Sequence, residues 1–447
     1  MFDPRFVREH VAELEETIRR QKKPELVTVL EDFLKHDQEW RKLKGEADAL
    51  RSSRNKLSEE INATKKRGGD IAPILKKVKA IPDKIKKIEE RMDALFVTEM
   101  RPRLAKLPNI MHKDVPYGKD DSENPERKKW GKARTFTFPI KNHVELCEQN
   151  DWADFEASAK TTGNGFYFLK GDLALLNQAL IRFALDRMVA AGYTYIEPPL
   201  MVRLSVLEAA MDMAAIQQSV YKVEGEQTKD EKTATDRVVA TSEANQLRLI
   251  GTAEHALLGM HAGDTFKAEE LPKKYVGYSM CFRQEIGSHG INEKGLWRTH
   301  QFNKVEQFIY CLPEQSWQLY DELLANSEGI LQALELPYRV VEICTGDLAA
   351  WKSRSHDVEV WRPTTEAYGE VMSLSNCTTY QATDIEIRYV KKDGERGVVH
   401  TLNNTALATS RVMVAILENY QEQDGTVTIP KVLRPYMGEK EKLLPTK

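Results

Sequence analysis

The chain reads as an α+β protein, an antiparallel-sheet domain preceded by an N-terminal antiparallel coiled-coil arm. Three observations predict this. Between residues 36 and 95 apolar side chains recur at alternating spacings of three and four, in two runs separated by Gly68-Gly69, the pattern of a helical hairpin with a tight turn. Beyond residue 135 helical and strand patterns alternate irregularly, and the clearest strands, flanking 281–308, look joined as a hairpin; this favours an antiparallel sheet over a doubly wound one. Neither GxxxxGK(S/T) nor GxGxxG occurs, so a nucleotide site here is neither a P-loop nor a dinucleotide crevice.

Taken in order, residues 4–21 begin with proline and close on Arg19-Arg20, which predicts one short helix. The arm follows. Trp40, Leu43, Ala47, Leu50, Leu57 and Ile61 line its first limb; Ile74, Val78, Ile81, Ile85, Ile88, Met92 and Leu95 line the second, which Pro73 opens. Limbs of about 30 residues would reach on the order of 45 Å, and Pro82 predicts a kink or break in the second. Residues 1–107 thus form a helical domain with its hairpin over about 30–105, residues 108–134 a linker rich in breakers, and 135–447 the sheet domain. In that domain a helix is expected from Leu173 to Ala191, then an extended segment ending at Pro198-Pro199. The charged insertion 224–236 reads as a mobile loop, residues 412–420 as a helix, and the Lys/Glu-rich end of the chain as frayed.

Charge is unevenly shared. Of 65 Lys+Arg and 68 Asp+Glu, residues 1–110 hold 26 and 20, so +6, which leaves 39 and 48, so −9, for the rest. Residues 65–91 alone carry ten basic side chains against four acidic ones. Such a helical face can lie along phosphates; a solvated Lys-rich coiled coil is the alternative. No apolar run approaches the ~18 residues of a membrane span, and the early acids at Asp3, Glu9, Glu13, Glu15 and Glu16 do not suit a targeting peptide. The expectation is a cytoplasmic protein without membrane contact. The five cysteines (147, 281, 311, 344, 377) are odd in number and lack a CxxC, which predicts reduced, buried thiols. His143 and Cys147 stand four apart with no second ligand pair nearby, so no zinc is expected.

The most informative stretch is Cys281 to Phe308. Arg283 and Glu285 open it, a polar loop with Gly287, Gly290 and Gly295 follows, and it returns through Arg298, Phe302 and Glu306. Two strands joined by a long loop could hold an anion, a cation and a flat ring together. A hairpin carrying only surface ion pairs is the other reading of the same residues.

Three motifs in order resemble the class II aminoacyl-tRNA synthetases, and within them the seryl-tRNA synthetase family, over nearly the whole chain. The first runs from Gly192-Tyr193 to Pro199-Leu200; the second is FRQE at 282–285 with RTHQF at 298–302; the third is the segment from Asn403 to Arg411. Glu370-Val371-Met372-Ser373 and the triplet Thr252-Ala253-Glu254 lie between them, with Thr241-Ser242-Glu243 as a competing triplet. Asn404, Ala406 and Ser410 stand where the family's third motif commonly has glycines.

The resemblance implies serine activation by ATP to seryl-adenylate, then transfer to the 3′ end of tRNA-Ser, with tRNA-Sec as a second acceptor left open. Arg283 and Arg411 would be the catalytic pair. Arg283 would bridge the α-phosphate and the serine carboxylate, since a planar fork can hold two oxyanions. ATP would be bound by Arg283, Gln284, Glu285, Arg298, Thr299, His300, Gln301, Phe302, Glu370, Val371, Met372, Ser373 and Arg411. Within that set Glu285 would accept the adenine amino group, Phe302 would stack on the base, and Glu370 and Ser373 would hold Mg2+. Serine would meet Thr252, Ala253, Glu254, Arg283, Glu306, Asn403 and Thr405, with Glu306 on the ammonium. The arm would grip tRNA-Ser, the 192–200 region would form a homodimer interface, and the 287–295 loop would move during the cycle. Two rivals stand beside this reading. One is a scaffold with an inactive synthetase-like body; the other is a class II enzyme charging a different amino acid or a carrier protein.

Overall fold

The structure, a computed structural model, describes residues 1–224, 246–285 and 295–446. The insertion read as a mobile loop, the triplet at 241–243 and most of the 287–295 loop lie outside these. Two compact units divide the chain at Pro108.

In the first unit the expected single helix is two, Pro4–Glu9 and Val11–Arg20, broken at His10. The arm's limbs are Glu25–Lys66 and Ala72–Leu95. The first limb has 42 residues, longer than anticipated, because its first turns also pack within the N-terminal bundle through buried Leu30 and Phe33. The turn is set by Gly68 at φ +68°, a left-handed conformation that costs glycine least, and Asp70 accepts from the Ala72 N–H at 2.8 Å. Pro82 sits inside an unbroken second helix, so the expected break does not occur. Proline removes one helical hydrogen bond, while buried Ile81 and Ile85 hold the limb in place from either side. Arg51–Glu89 at 2.5 Å and Arg91–Glu39 at 2.6 Å cross between the limbs.

The second unit is built on an eight-stranded sheet. Its strands are β1 (Glu126–Trp130), β2 (Thr194–Ile196), β3 (Lys273–Phe282), β4 (Gln301–Cys311), β5 (Tyr338–Glu342), β6 (Arg354–Arg362), β7 (Ala367–Thr378) and β8 (His400–Ala408). The spatial order is β1-β5-β6-β7-β8-β4-β3-β2. Every pair is antiparallel except β2 with β3. β1 lies in the stretch read as a linker. Arg127 pins it there by pairing with the fully buried Glu342 carboxylate at 2.5 Å, a clamp that an isolated Pro-rich sequence does not reveal.

β4 shows how sequence alternation divides the interior, because successive strand side chains face opposite ways. Val305, Ile309 and Cys311 enter the main core with the helices Gly171–Ala190, Ser316–Ala333 and Thr409–Tyr420. Phe308 and Tyr310 enter a second core under the helix Ala253–Gly259. Phe302, Lys304 and Glu306 continue that same even-numbered face towards a cavity. The chain's end is docked rather than frayed: Lys442–Leu443 pairs with Val427–Thr428, Leu443 is buried, and the Trp152 indole N–H donates to the Leu444 carbonyl at 2.7 Å. All five cysteines are buried thiols.

Candidate active site

A cavity of about 390 Å³ opens over the even face of β4, the polar faces of β7 and β8, and the start of the Ala253–Gly259 helix. That volume lies within the usual range of small-ligand pockets. Of the residues singled out from sequence, Thr252, Glu254, Arg283, Glu285, Arg298, Thr299, Phe302, Glu306, Glu370, Val371, Ser373, Asn403, Thr405 and Arg411 line it. Ala253, Gln284, His300, Gln301 and Met372 do not. Ala253 and Met372 are core residues. Gln284 contributes its backbone N–H to the Ser219 carbonyl at 2.9 Å. His300 locks the base of the hairpin: its carbonyl accepts from the Arg283 N–H and its ring pairs with the Arg283 carbonyl, each at 2.9 Å.

At one end, Thr252 caps its helix by accepting from the Glu254 N–H at 3.3 Å, and it also accepts from Lys304 Nζ at 3.1 Å. Glu254 Oε1 accepts from Gln381 at 2.8 Å and Asn403 at 3.0 Å. Glu306 pairs with Lys304 at 2.5 Å and is 1% exposed. Burial pushes both carboxyls above their ordinary values, and Lys304 pulls them back. Two carboxyls face one ammonium at this end, which leaves acceptor oxygens for an arriving amino group. Thr405 lies opposite Glu306 across the β8–β4 pair.

At the other end Arg411, in the first turn of the Thr409–Tyr420 helix, donates to the Glu370 carbonyl at 2.7 Å and pairs with its carboxylate at 3.1 Å. Against the desolvation of the site, that guanidinium holds the Glu370 carboxyl below its usual range. Arg411 and Arg362 both lie over the Trp297 ring, at 5.5 and 4.3 Å. Arg298 pairs with Glu285 at 3.0 Å. Between the ends, Arg283 Nε donates to the Gly251 carbonyl at 3.2 Å and its guanidinium stands 5.2 Å over the Phe302 ring.

Glu370 and Ser373 share β7, and Asp357 of β6 is in register with Ser373. Among the described residues Asp357 Oδ1 is buried without a hydrogen-bond partner; burial and the Glu370 charge push this carboxyl up, against Lys352 and the Ser373 hydroxyl. These are hard oxygens, one of them unsatisfied, and they suit a magnesium ion that draws its remaining ligands from phosphates and water.

Sequence reasoning missed Lys304, Trp297, Lys352, His255 and Asp357. For Lys304 the signal was present: it stands midway between Phe302 and Glu306, so a strand places all three on one face. His255 follows the serine-type triplet directly; burial holds its imidazole neutral, at about 3, and it accepts from the Gly251 N–H at 3.3 Å.

Such a sheet, with an arginine-bearing hairpin and a closing helix arginine around one cavity, is that of a class II aminoacyl-tRNA synthetase. The model of the tRNA synthetase class II core domain (G, H, P, S and T) matches residues 221–420. Residues 1–111 match the seryl-tRNA synthetase N-terminal domain. The chain is 45% identical over 443 residues to a serine–tRNA ligase of Methanospirillum hungatei JF-1, covering 99% of this chain and 100% of that one. The crystal structure of seryl-tRNA synthetase from Pyrococcus horikoshii complexed with ATP has a TM-score of 0.88 at 40% identity, with both chains fully covered. The cytoplasmic serine–tRNA ligase from Naegleria fowleri in complex with AMP gives 0.84 at 28% identity, covering 100% of this chain and 99% of that one. The chain belongs to the seryl-tRNA synthetase family.

Proposed function

We propose that the chain is a serine–tRNA ligase that activates L-serine with ATP and transfers the seryl group to the 3′ end of tRNA-Ser. One observation carries this reading: one cavity holds the Glu254 and Glu306 carboxyls at one end, Arg298 and Arg411 at the other, and Arg283 between them. In the first step a serine carboxylate oxygen attacks the ATP α-phosphorus, the new C–O–P bond forms, and pyrophosphate leaves with the bonding pair. Such a transfer needs chiefly positioning and charge neutralisation.

Glu306 takes the substrate ammonium. Thr252, Glu254, Asn403 and Thr405 meet the side-chain hydroxyl, so alanine would leave their polar groups unpaired and be rejected. Arg283 holds the carboxylate and α-phosphate oxygens together. Phe302 offers a ring face to the base and Glu285 an acceptor to its amino group. Arg298 and Arg411 exchange their present carboxylate partners for phosphates. Glu370 and Ser373, with Asp357 beside them, would hold magnesium, which would supply charge neutralisation to the phosphates.

The basic arm is the tRNA-binding element; which acceptors beyond tRNA-Ser it admits is a matter for charging assays. The region 192–200 is the homodimer surface, supported by the exposed apolar side chains of Tyr195 and Leu200 beside Met201. No helix among the described residues is long and apolar enough to cross a membrane, and we take the protein to act in the cytoplasm. ATP–pyrophosphate exchange run across all amino acids tests the whole reading. Exchange driven by serine is expected; a folded sample that exchanges with another amino acid or with none would overturn it.

A further inference from the structure

Five cationic side chains line the cavity: Arg283, Arg298, Lys304, Lys352 and Arg411. Three are already neutralised by a carboxylate, Arg298 by Glu285, Lys304 by Glu306 and Arg411 by Glu370. Among the described residues Arg283 and Lys352 pair with none. Arg283 has its role above; Lys352 has had none so far.

We propose that Lys352 is a second cation for the reacting oxyanions, binding with Arg283 the carboxyl–phosphoryl junction of the bound adenylate. This rests on the serine-activation reading and adds a residue to it. The geometry supports it in three ways. Among the described residues Lys352 Nζ hydrogen-bonds only to the Ser355 and Ser373 hydroxyls, at 3.4 and 3.5 Å, contacts too long to satisfy an ammonium. Its backbone is fixed in advance. The Lys352 N–H donates to the Ala349 carbonyl at 3.0 Å, the Trp351 carbonyl accepts from Asn109 at 3.0 Å, and the Ser353 N–H donates to the Asn376 carbonyl at 2.8 Å. Its charge, like that of Arg283, acts on both Glu254 and Glu370, which mark the two ends of the cavity. That charge also reaches the buried Asp357 carboxyl, but among the described residues the ammonium makes no ion pair, so it is a site for an oxyanion arriving with substrate.

The anion could be the serine carboxylate or the α-phosphate, and the experiment separates them. Full-length wild-type chain, Lys352→Met and Lys352→Arg are titrated calorimetrically with four probes: a seryl-adenylate mimic carrying an anionic acyl-sulfamate in place of the phosphate, AMP, L-serine, and adenosine. The expected result is at least tenfold weaker binding of the mimic by Lys352→Met, largely restored in Lys352→Arg, with adenosine unaffected. Weakening that extends to AMP assigns the α-phosphate; weakening that extends to serine assigns the carboxylate. Unchanged binding of the mimic by Lys352→Met overturns the proposal, as does equal weakening of adenosine, which marks a merely structural role. Wild-type chain that fails to bind the seryl mimic while binding adenosine would defeat the serine reading itself, a separate result.

Discussion

Arg283→Ala is the perturbation whose cost follows most directly from the geometry. The guanidinium lies in a partly buried cavity between Glu254, Glu306 and Glu370, and its charge acts on all three. A unit charge pair about 4 Å apart at an effective dielectric near 20 is worth roughly 4 kcal/mol. Removing one preorganised donor from a developing oxyanion costs about 3 to 4 kcal/mol in comparable sites. The alanine variant should therefore lose about 3 kcal/mol, roughly a hundred- to two-hundredfold in serine-dependent exchange. Arg283→Lys is the informative control. It keeps the charge but loses the fork and the 3.2 Å anchor to the Gly251 carbonyl, so an intermediate loss of roughly tenfold is expected. The assay is ATP–pyrophosphate exchange at saturating ATP, with the melting temperature of each variant measured alongside. An alanine variant within threefold of wild type would remove Arg283 from the reacting centre. Equal losses in both variants would show that fork geometry, not charge, is what matters.

Three further predictions use other parts of the molecule. Deleting residues 30–105 should spare serine activation and abolish tRNA charging; charging at the wild-type rate would refute the arm's role. Glu306→Gln should lower kcat/KM for serine by about 2 kcal/mol, roughly thirtyfold, while leaving KM for ATP in place; an unchanged serine titration would move the ammonium site elsewhere. The third concerns pH. His356 is buried beside Tyr320, whose hydroxyl meets Nδ1 at 2.7 Å, and burial lowers its pKa to about 4. A histidine held neutral in the fold but titrating near 6.5 when unfolded contributes stability that is full above about 6.5 and lost as pH falls towards 4. At pH 5 the loss approaches about 2 kcal/mol. Urea unfolding at pH 7.5 and pH 5.0 should show a shallower pH dependence for His356→Gln than for wild type, and parallel curves would refute the assignment.

The arm was legible in the sequence because a coiled-coil limb needs only its own periodicity: Ile74 to Leu95 declare their faces without reference to distant residues. The break that Pro82 allowed for is absent for a related reason. The proline's local cost is real, but the packing of Ile81 and Ile85 against the facing limb outweighs it, and that packing is tertiary. The docked end of the chain escaped notice similarly, since Leu443 is buried only through pairing with Val427–Thr428 and Leu444 is held by Trp152.

In the cavity, Arg283, Phe302, Glu306, Glu370 and Arg411 were readable because each sits in a short stretch whose residue types make sense only together. Lys304 was readable by strand alternation and was passed over. Lys352 and Asp357 belong to no such stretch. Their meaning comes from position: Asp357 from its register with Ser373, Lys352 from a loop pinned by Asn109 and Asn376.

By itself, then, the sequence determined which residues could handle phosphate, carboxylate and ammonium, and that a helical arm preceded an antiparallel sheet. Only the tertiary structure decided how those charges are shared. Among the described residues Arg298, Lys304 and Arg411 are tied to carboxylates while Arg283 and Lys352 are not, because ion pairing depends on which side chains the folded strands and loops bring within reach, and a one-dimensional pattern does not carry those distances.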